Sequence, residues 1–197
     1  MESSPLGDVR LEPPKSDTYL NRMVRAARLD VSLYREVERD PQAFMQAMGV
    51  VVLSSLCAGV GSVGREAGGG TLVLLSTASA LAGWFIWAYL TYFVGTRLLP
   101  EPQTQADYGQ LLRTIGFASA PGIIRILGIV PQMTAVVFFA AAVWMLLAMV
   151  IAVRVALNYT STGRAVAVCA VGWVVQILVI MLLVALTGGL AQIEPAA

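Results

Sequence analysis

The strongest constraint on this chain is the distribution of its charges. Residues 44–197 carry only ten of the 25 charged side chains, and residues 1–43 carry the other fifteen. Between those ten charges lie apolar runs of about twenty residues, the length needed to cross a hydrocarbon core of about 30 Å. Soluble domains are about 25% charged, whereas this chain is 13% charged and 57% hydrophobic. The pattern predicts an all-α fold, a polytopic helical membrane bundle of about five transmembrane helices preceded by an amphipathic cytoplasmic helix.

Composition removes several function classes. The net charge of +1 leaves no basic footprint for nucleic acid. Histidine is absent, which removes the usual general base and the commonest zinc ligand. Ser, Thr and Cys occur in the spans without a plausible base, so no catalytic set, cofactor site or metal site is expected. Cys57 and Cys169 should be free thiols at different depths. No signal peptide is visible, because the first apolar run begins near Phe44. Twelve arginines against one lysine suggest a GC-rich, bacterial genome and hence an inner membrane.

Four regions follow along the chain. Residues 1–16, rich in Pro, Ser and charge, read as a disordered tail. Residues 17–40 are amphipathic: Leu20, Met23, Val24, Ala27, Val31 and Tyr34 share a helical stripe that excludes Leu29 and Leu33. Asp30 can therefore cap a second short helix. This segment either lies in the headgroup layer or packs on the cytoplasmic end of the bundle. Residues 41–190 form the membrane domain, and 191–197 a short tail.

Asp40-Pro41 predicts the start of the first span, about Phe44 to Val63, whose Ala58, Gly59, Gly61 and Ser62 would let a neighbouring backbone approach closely. Residues 64–70 read as a flexible turn. The second span covers about Thr71 to Val94, with Trp84 and Trp87 placed to pack inside. The third, Leu111 to Val130, carries Arg113, Pro121-Gly122 and Arg125 and reads as a broken helix packed against the bundle. A turn at 131–133 leads to the fourth span, Thr134 to Val153, and Ala165 to Thr187 forms the fifth. With the N-terminus inside, eleven basic residues are cytoplasmic and two, Arg65 and Arg125, are not. The C-terminus then lies on the opposite side.

At Gly95-Thr96-Arg97-Leu98-Leu99-Pro100 and Leu112-Arg113-Thr114-Ile115-Gly116-Phe117-Ala118-Ser119-Ala120-Pro121-Gly122 the chain resembles the Yip-one domain family, the Ypt/Rab-interacting membrane proteins. The likeness extends through Ile129-Val130-Pro131, Trp144-Met145, Ala152 to Leu157 and Thr162-Gly163-Arg164-Ala165. It is closest to the bacterial branch, partly through Tyr34 to Pro41. The resemblance implies five spans and a cytosolic N-terminus. Eukaryotic relatives bind Rab-type GTPases through a longer N-terminal region, a role not carried over here.

Candidate contact residues are Arg113, Pro121, Gly122, Arg125, Arg154, Arg164 and Gln176. Arg125 is expected to snorkel to the outer face, about six residues or roughly 9 Å away. The other option is that it binds carbonyls freed at the Pro121 break, or an anionic ligand. Arg113, Arg154 and Arg164 should gather at the cytoplasmic ends of the last three spans, as topology anchors or as a docking site for lipid or a partner. Gln176 should glue helices by hydrogen bonding. The functional expectation is a non-enzymatic membrane scaffold or interaction protein. Its expected partners are the lipid bilayer, a second copy of itself and a cytoplasmic protein. The alternative is a small channel or transporter with its broken third helix at Pro121-Gly122.

Overall fold

The computed structural model describes residues 18–62, 70–130 and 132–191. The expected tail at 1–16, most of the turn at 64–70, Pro131 and the tail beyond 191 lie outside the described residues. Among the described residues the fold is entirely helical: α1 (Tyr19–Ala27), α2 (Val31–Arg39), α3 (Ala43–Ser62), α4 (Gly70–Phe93), α5 (Tyr108–Phe117), α6 (Thr134–Ala156) and α7 (Thr162–Ala191). A π-helical turn, Val94–Leu98, continues α4, and a 3₁₀ segment, Ala120–Ile129, follows α5. Four helical stretches among the described residues are long and apolar enough to cross a membrane: Ala43–Ser62, Thr77–Leu98, Tyr108–Ile129 and Thr134–Ala156. About five were expected. The fifth stretch, α7, is 30 residues long, and its apolar described part is Thr162–Leu178.

The N-terminal segment is two helices, and their division explains the sequence pattern. Leu29 takes a left-handed conformation (φ 62°) and ends α1. Its successor Asp30 donates its N–H to the Arg25 carbonyl at 3.1 Å, which closes the last turn. The Asp30 carboxylate then caps α2, accepting from the Ser32 hydroxyl at 2.6 Å and the Ser32 N–H at 2.9 Å. The Ser32 hydroxyl bond is the main reason this carboxyl titrates low, at about 2. Of the two placements open from sequence, the structure has the packed one: Leu33, Tyr34 and Val37 are fully buried in the common core. Arg22 and Arg25 on α1 pair with Glu36 and Asp40 and with Asp30 and Glu36 respectively, so α1 and α2 are riveted together. Asp40 and Pro41 sit in the turn that leads into α3, and the Asp40 carboxylate accepts from the Gln42 N–H at 3.0 Å, the bond expected of a capping residue.

The third apolar segment is the centre of the bundle. It breaks where expected: α5 stops at Phe117, and from Ala120 the chain continues as 3₁₀ helix. Proline at 121 has no N–H for an α-helical bond and clashes with the turn before it. The ten residues of 3₁₀ helix rise about 2 Å each, so with α5 the segment still covers about 35 Å. From Leu111 to Gly122 all residues but Arg113 and Ser119 are buried.

Close backbone approach makes this centre possible. A Cβ on Gly61 would overlap the backbone carbonyl of Arg125, and one on Gly116 would lie 2.7 Å from the Cβ of Ala47. The small residues expected to thin the end of α3 thus serve an internal contact. Trp84 and Trp87 are buried as expected, and the Trp84 indole donates to the Leu112 carbonyl at 3.1 Å. Cys57 and Cys169 are buried and free.

Replacing Gly61 with alanine should destabilise the fold by about 1–3 kcal/mol through overpacking against backbone. Gly83→Ala is the control, since a Cβ there meets nothing within 4 Å; it should be neutral or stabilising by up to about 1 kcal/mol. Thermal unfolding midpoints in detergent compare the two.

Candidate functional site

Two polar places stand out in an otherwise apolar bundle. The first is at the end where α2, α5, the α4–α5 loop and the α6–α7 loop meet. A buried carboxylate organises it. Glu101 is only 7% exposed and accepts from the Thr160 N–H at 2.9 Å, the Thr160 hydroxyl at 2.8 Å and the Ser161 N–H at 3.3 Å. The Gln103 amide also donates to it. Arg164 lies 3.7 Å from it and donates to the Pro100 carbonyl at 2.7 Å. The Thr160 N–H, more than any other group, holds the Glu101 carboxyl below the usual range. Next to it, the Tyr159 hydroxyl is 2.8 Å from the carbonyls of both Gly95 and Leu99. These are backbone groups of the π-helical turn and its end. Burial, then the nearby Glu101 charge, pushes this phenol up to about 12.

The three arginines expected to gather at this end do not form one cluster. Arg113 turns to α2 and donates to the Val37 carbonyl at 2.9 Å and to the Glu38 carbonyl, closing the C-terminus of that helix. Arg164 belongs to Glu101. Arg154 reaches the Tyr159 and Thr160 carbonyls at 3.5 and 3.3 Å and faces a cavity of about 690 Å³. Arg35 and Arg39 of α2 share that cavity with Glu38, Gln110 and Asn158. Among the described residues Arg35 and Arg39 make no hydrogen bond or ion pair. Burial raises the Glu38 carboxyl, and Arg39, Arg113 and Arg35 oppose that shift.

The second place is the break itself. Arg125 does not snorkel. Its Nε donates to the Gly122 carbonyl at 3.0 Å and its Nη2 to the Ser54 hydroxyl at 2.8 Å, with the Met145 sulfur at 3.4 Å. The reason is local geometry. Residues three apart align along a 3₁₀ helix, so Gly122, Arg125 and Gly128 form one row. Glycine at 122 leaves the space the guanidinium fills, for a Cβ there would overlap Arg125 Nη2. Pro121 and Gly122 are thus buried parts of the core, and Gly122 receives Arg125. Gln176 glues no helices: it is exposed, makes no hydrogen bond among the described residues and lines a cavity with Arg125.

Sequence reading missed Glu101 and the two arginines of α2. An acid in one polar loop and an arginine beyond another fix no pairing. The Gly122, Arg125, Gly128 spacing was a usable signal, but only for a 3₁₀ helix.

Residues 33–184 match the family described as the Yip1 domain. No curated protein and no solved structure matches the chain.

The contribution of Glu101 to stability should be present above its ordinary pKa of 4.5 and lost as pH falls through its lower folded value. Glu101→Gln should remove this acid sensitivity, read as the unfolding midpoint in detergent between about pH 6 and about pH 3, on either side of the ordinary carboxylate pKa.

Proposed function

The chain belongs to the Yip1 domain family, and from that premise we propose that it is a non-enzymatic membrane scaffold whose cytoplasmic end holds an acidic segment of a soluble protein. The observation that carries this reading is the cavity of about 690 Å³ with Arg35, Arg39 and Arg154 on its walls. Other arginines at this end, Arg22, Arg25, Arg113 and Arg164, are consumed by carboxylates or carbonyls of the bundle. Arg35 and Arg39 are left over, and their guanidinium groups match carboxylates in a fork geometry. Glu38, Asp107, Gln110 and Asn158 beside them leave the walls with one net positive charge and add acceptors and donors that suit a peptide better than a uniformly anionic membrane surface.

The excess of basic residues at this end supports a cytoplasmic orientation, and the arginine-rich composition supports a bacterial inner membrane. Self-association fits the same reading. The contact would run along α4, where Ala78 and Ala82 are exposed. Small residues four apart on a helix let a second backbone approach. A channel or transporter is the second reading, favoured by Arg125 at the helix break.

A photo-crosslinking residue in place of Asn158 should capture one cytoplasmic protein in cells, and Arg39→Glu with Arg154→Glu should abolish capture without changing membrane levels. Purified protein in liposomes should pass no anions. Anion flux that disappears in Arg125→Ala would instead establish the transport reading.

A further inference from the structure

Between the 3₁₀ segment, α4, α6 and α7 lies a cavity of about 400 Å³. Phe138, Met145, Trp87 and Trp173 give it apolar walls, and Arg125 and Gln176 give it polar groups. Its depth can be read from the helices. Met145, 3.4 Å from the Arg125 guanidinium, is the midpoint of α6 (Thr134–Ala156). Trp87 is at the middle of the Thr77–Leu98 stretch. Trp173 is about 16 Å along α7 from Thr162. The cavity therefore lies about midway along the helices that line it.

Its polar groups are unusual for that depth. Arg125 carries a positive charge with no carboxylate partner among the described residues. A charge at the centre of a span costs about 2.5–3.5 kcal/mol on insertion scales. The Trp87 side chain is 8% exposed, and its indole N–H has no hydrogen-bond partner among the described residues. The Gln176 amide has none either. The guanidinium presents donors and one positive charge to whatever enters the cavity, and the Gln176 amide adds a donor and an acceptor. Trp173 and Leu146 on its wall are 56% and 42% exposed, so entry is from lipid, not from water.

We propose that this cavity is a binding site for a long-chain carboxylic acid, with the head on Arg125 and Gln176 and the chain along α6 and α7. Charge complementarity selects an anionic head, and the aromatic and methionine walls select an apolar tail. Depth selects the carboxylate among anionic amphiphiles. A carboxylic acid can cross hydrocarbon neutral and pass its proton back to water at the nearer membrane face once its head pairs with the guanidinium, whereas a phospholipid phosphodiester has no such neutral form. At the guanidinium, two carboxylate oxygens accept in the geometry that arginine favours. The inference does not depend on the scaffold reading, since the cavity shares no lining residue with the docking end.

Tryptophan fluorescence tests it, because Trp87 and Trp173 line the cavity and Trp84 and Trp144 do not. The full chain in phosphatidylcholine nanodiscs is titrated with dibromostearic acid, with its methyl ester and with brominated phosphatidylcholine. The acid should quench saturably and the other two should not. Trp173→Phe should lose much of the saturable part. Arg125→Gln should raise the half-saturating concentration about tenfold, as expected for losing a charge-assisted contact. Ala142→Phe should do the same by filling the cavity from an exposed wall position, and it serves as the test if Arg125→Gln does not fold. The proposal is overturned by linear quenching equal for acid and ester. It is also overturned by saturable quenching that Ala142→Phe and Trp173→Phe leave unchanged, or by phosphatidic acid displacing the probe where stearate fails.

Discussion

Hydrocarbon offers no hydrogen bonds, so backbone carbonyls released where a helix breaks must find donors inside the protein. That requirement governs the centre of this bundle. Pro121 ends the α-helical ladder of the third segment near mid-depth, and the chain answers with ten residues of 3₁₀ helix. Such long 3₁₀ runs are uncommon because their bonds are poorly aligned and their side chains eclipse. Here the eclipsing is used. It sets Gly122 and Gly128 one turn to either side of Arg125, and the guanidinium folds over Gly122 onto its carbonyl and the Ser54 hydroxyl. In an α-helix, residues three apart diverge by about 60°, and the same side chain would leave that row.

The rest of the packing follows from this row. Gly61 lets α3 lie directly on the Arg125 backbone, Phe138 of α6 closes over Gly128, and Met145 meets the guanidinium. The Thr134 hydroxyl, at the start of α6, donates to the Gly128 carbonyl at 2.6 Å. Two membrane-length helices, α3 and α6, are thus docked on a segment that could not stand alone in lipid. Its α-helical half does the same at the other end, where Leu111, Ile115 and Phe117 meet the α2 residues Leu33, Tyr34 and Val37 in one buried cluster.

Much of the fold was legible because it depends on period and length. Apolar runs gave the long helices within a few residues, and the break was visible at Pro121-Gly122. The capping role of Asp30 was visible because Leu29 and Leu33 fell off the first stripe. What was not legible depends on which groups meet through space. Arg125 has the reach to snorkel, and the sequence alone weighs that reach without knowing that Gly122 leaves a vacancy nearer by. Arg113 and Arg164 look alike as basic residues near span ends. Yet one closes α2 and the other joins Glu101, because the loops fold back at different points. The π-helical turn at Val94–Leu98 has no periodic signature. It is held by Tyr159 reaching across from beyond α6 and by Leu157 filling the space over Gly95.

The use of arginine separates structural from free charge along the bundle. Near its polar end, water and carboxylates are within reach, so a guanidinium there is neutralised at small cost and serves to tie loops. Arg22, Arg25, Arg113 and Arg164 are of this kind. At mid-depth neither water nor, among the described residues, a carboxylate is near Arg125, and its neutral partners satisfy donors without cancelling charge. A carbonyl dipole and a hydroxyl reduce the desolvation cost of a cation but leave its field in place, and in a medium of low dielectric that field is weakly screened. A bundle needing only to satisfy the Gly122 carbonyl could do so with a neutral donor such as the amide of Gln or Asn. Keeping a permanent cation there, beside an unpartnered indole and an amide on the same cavity, makes sense when an anion is the missing partner.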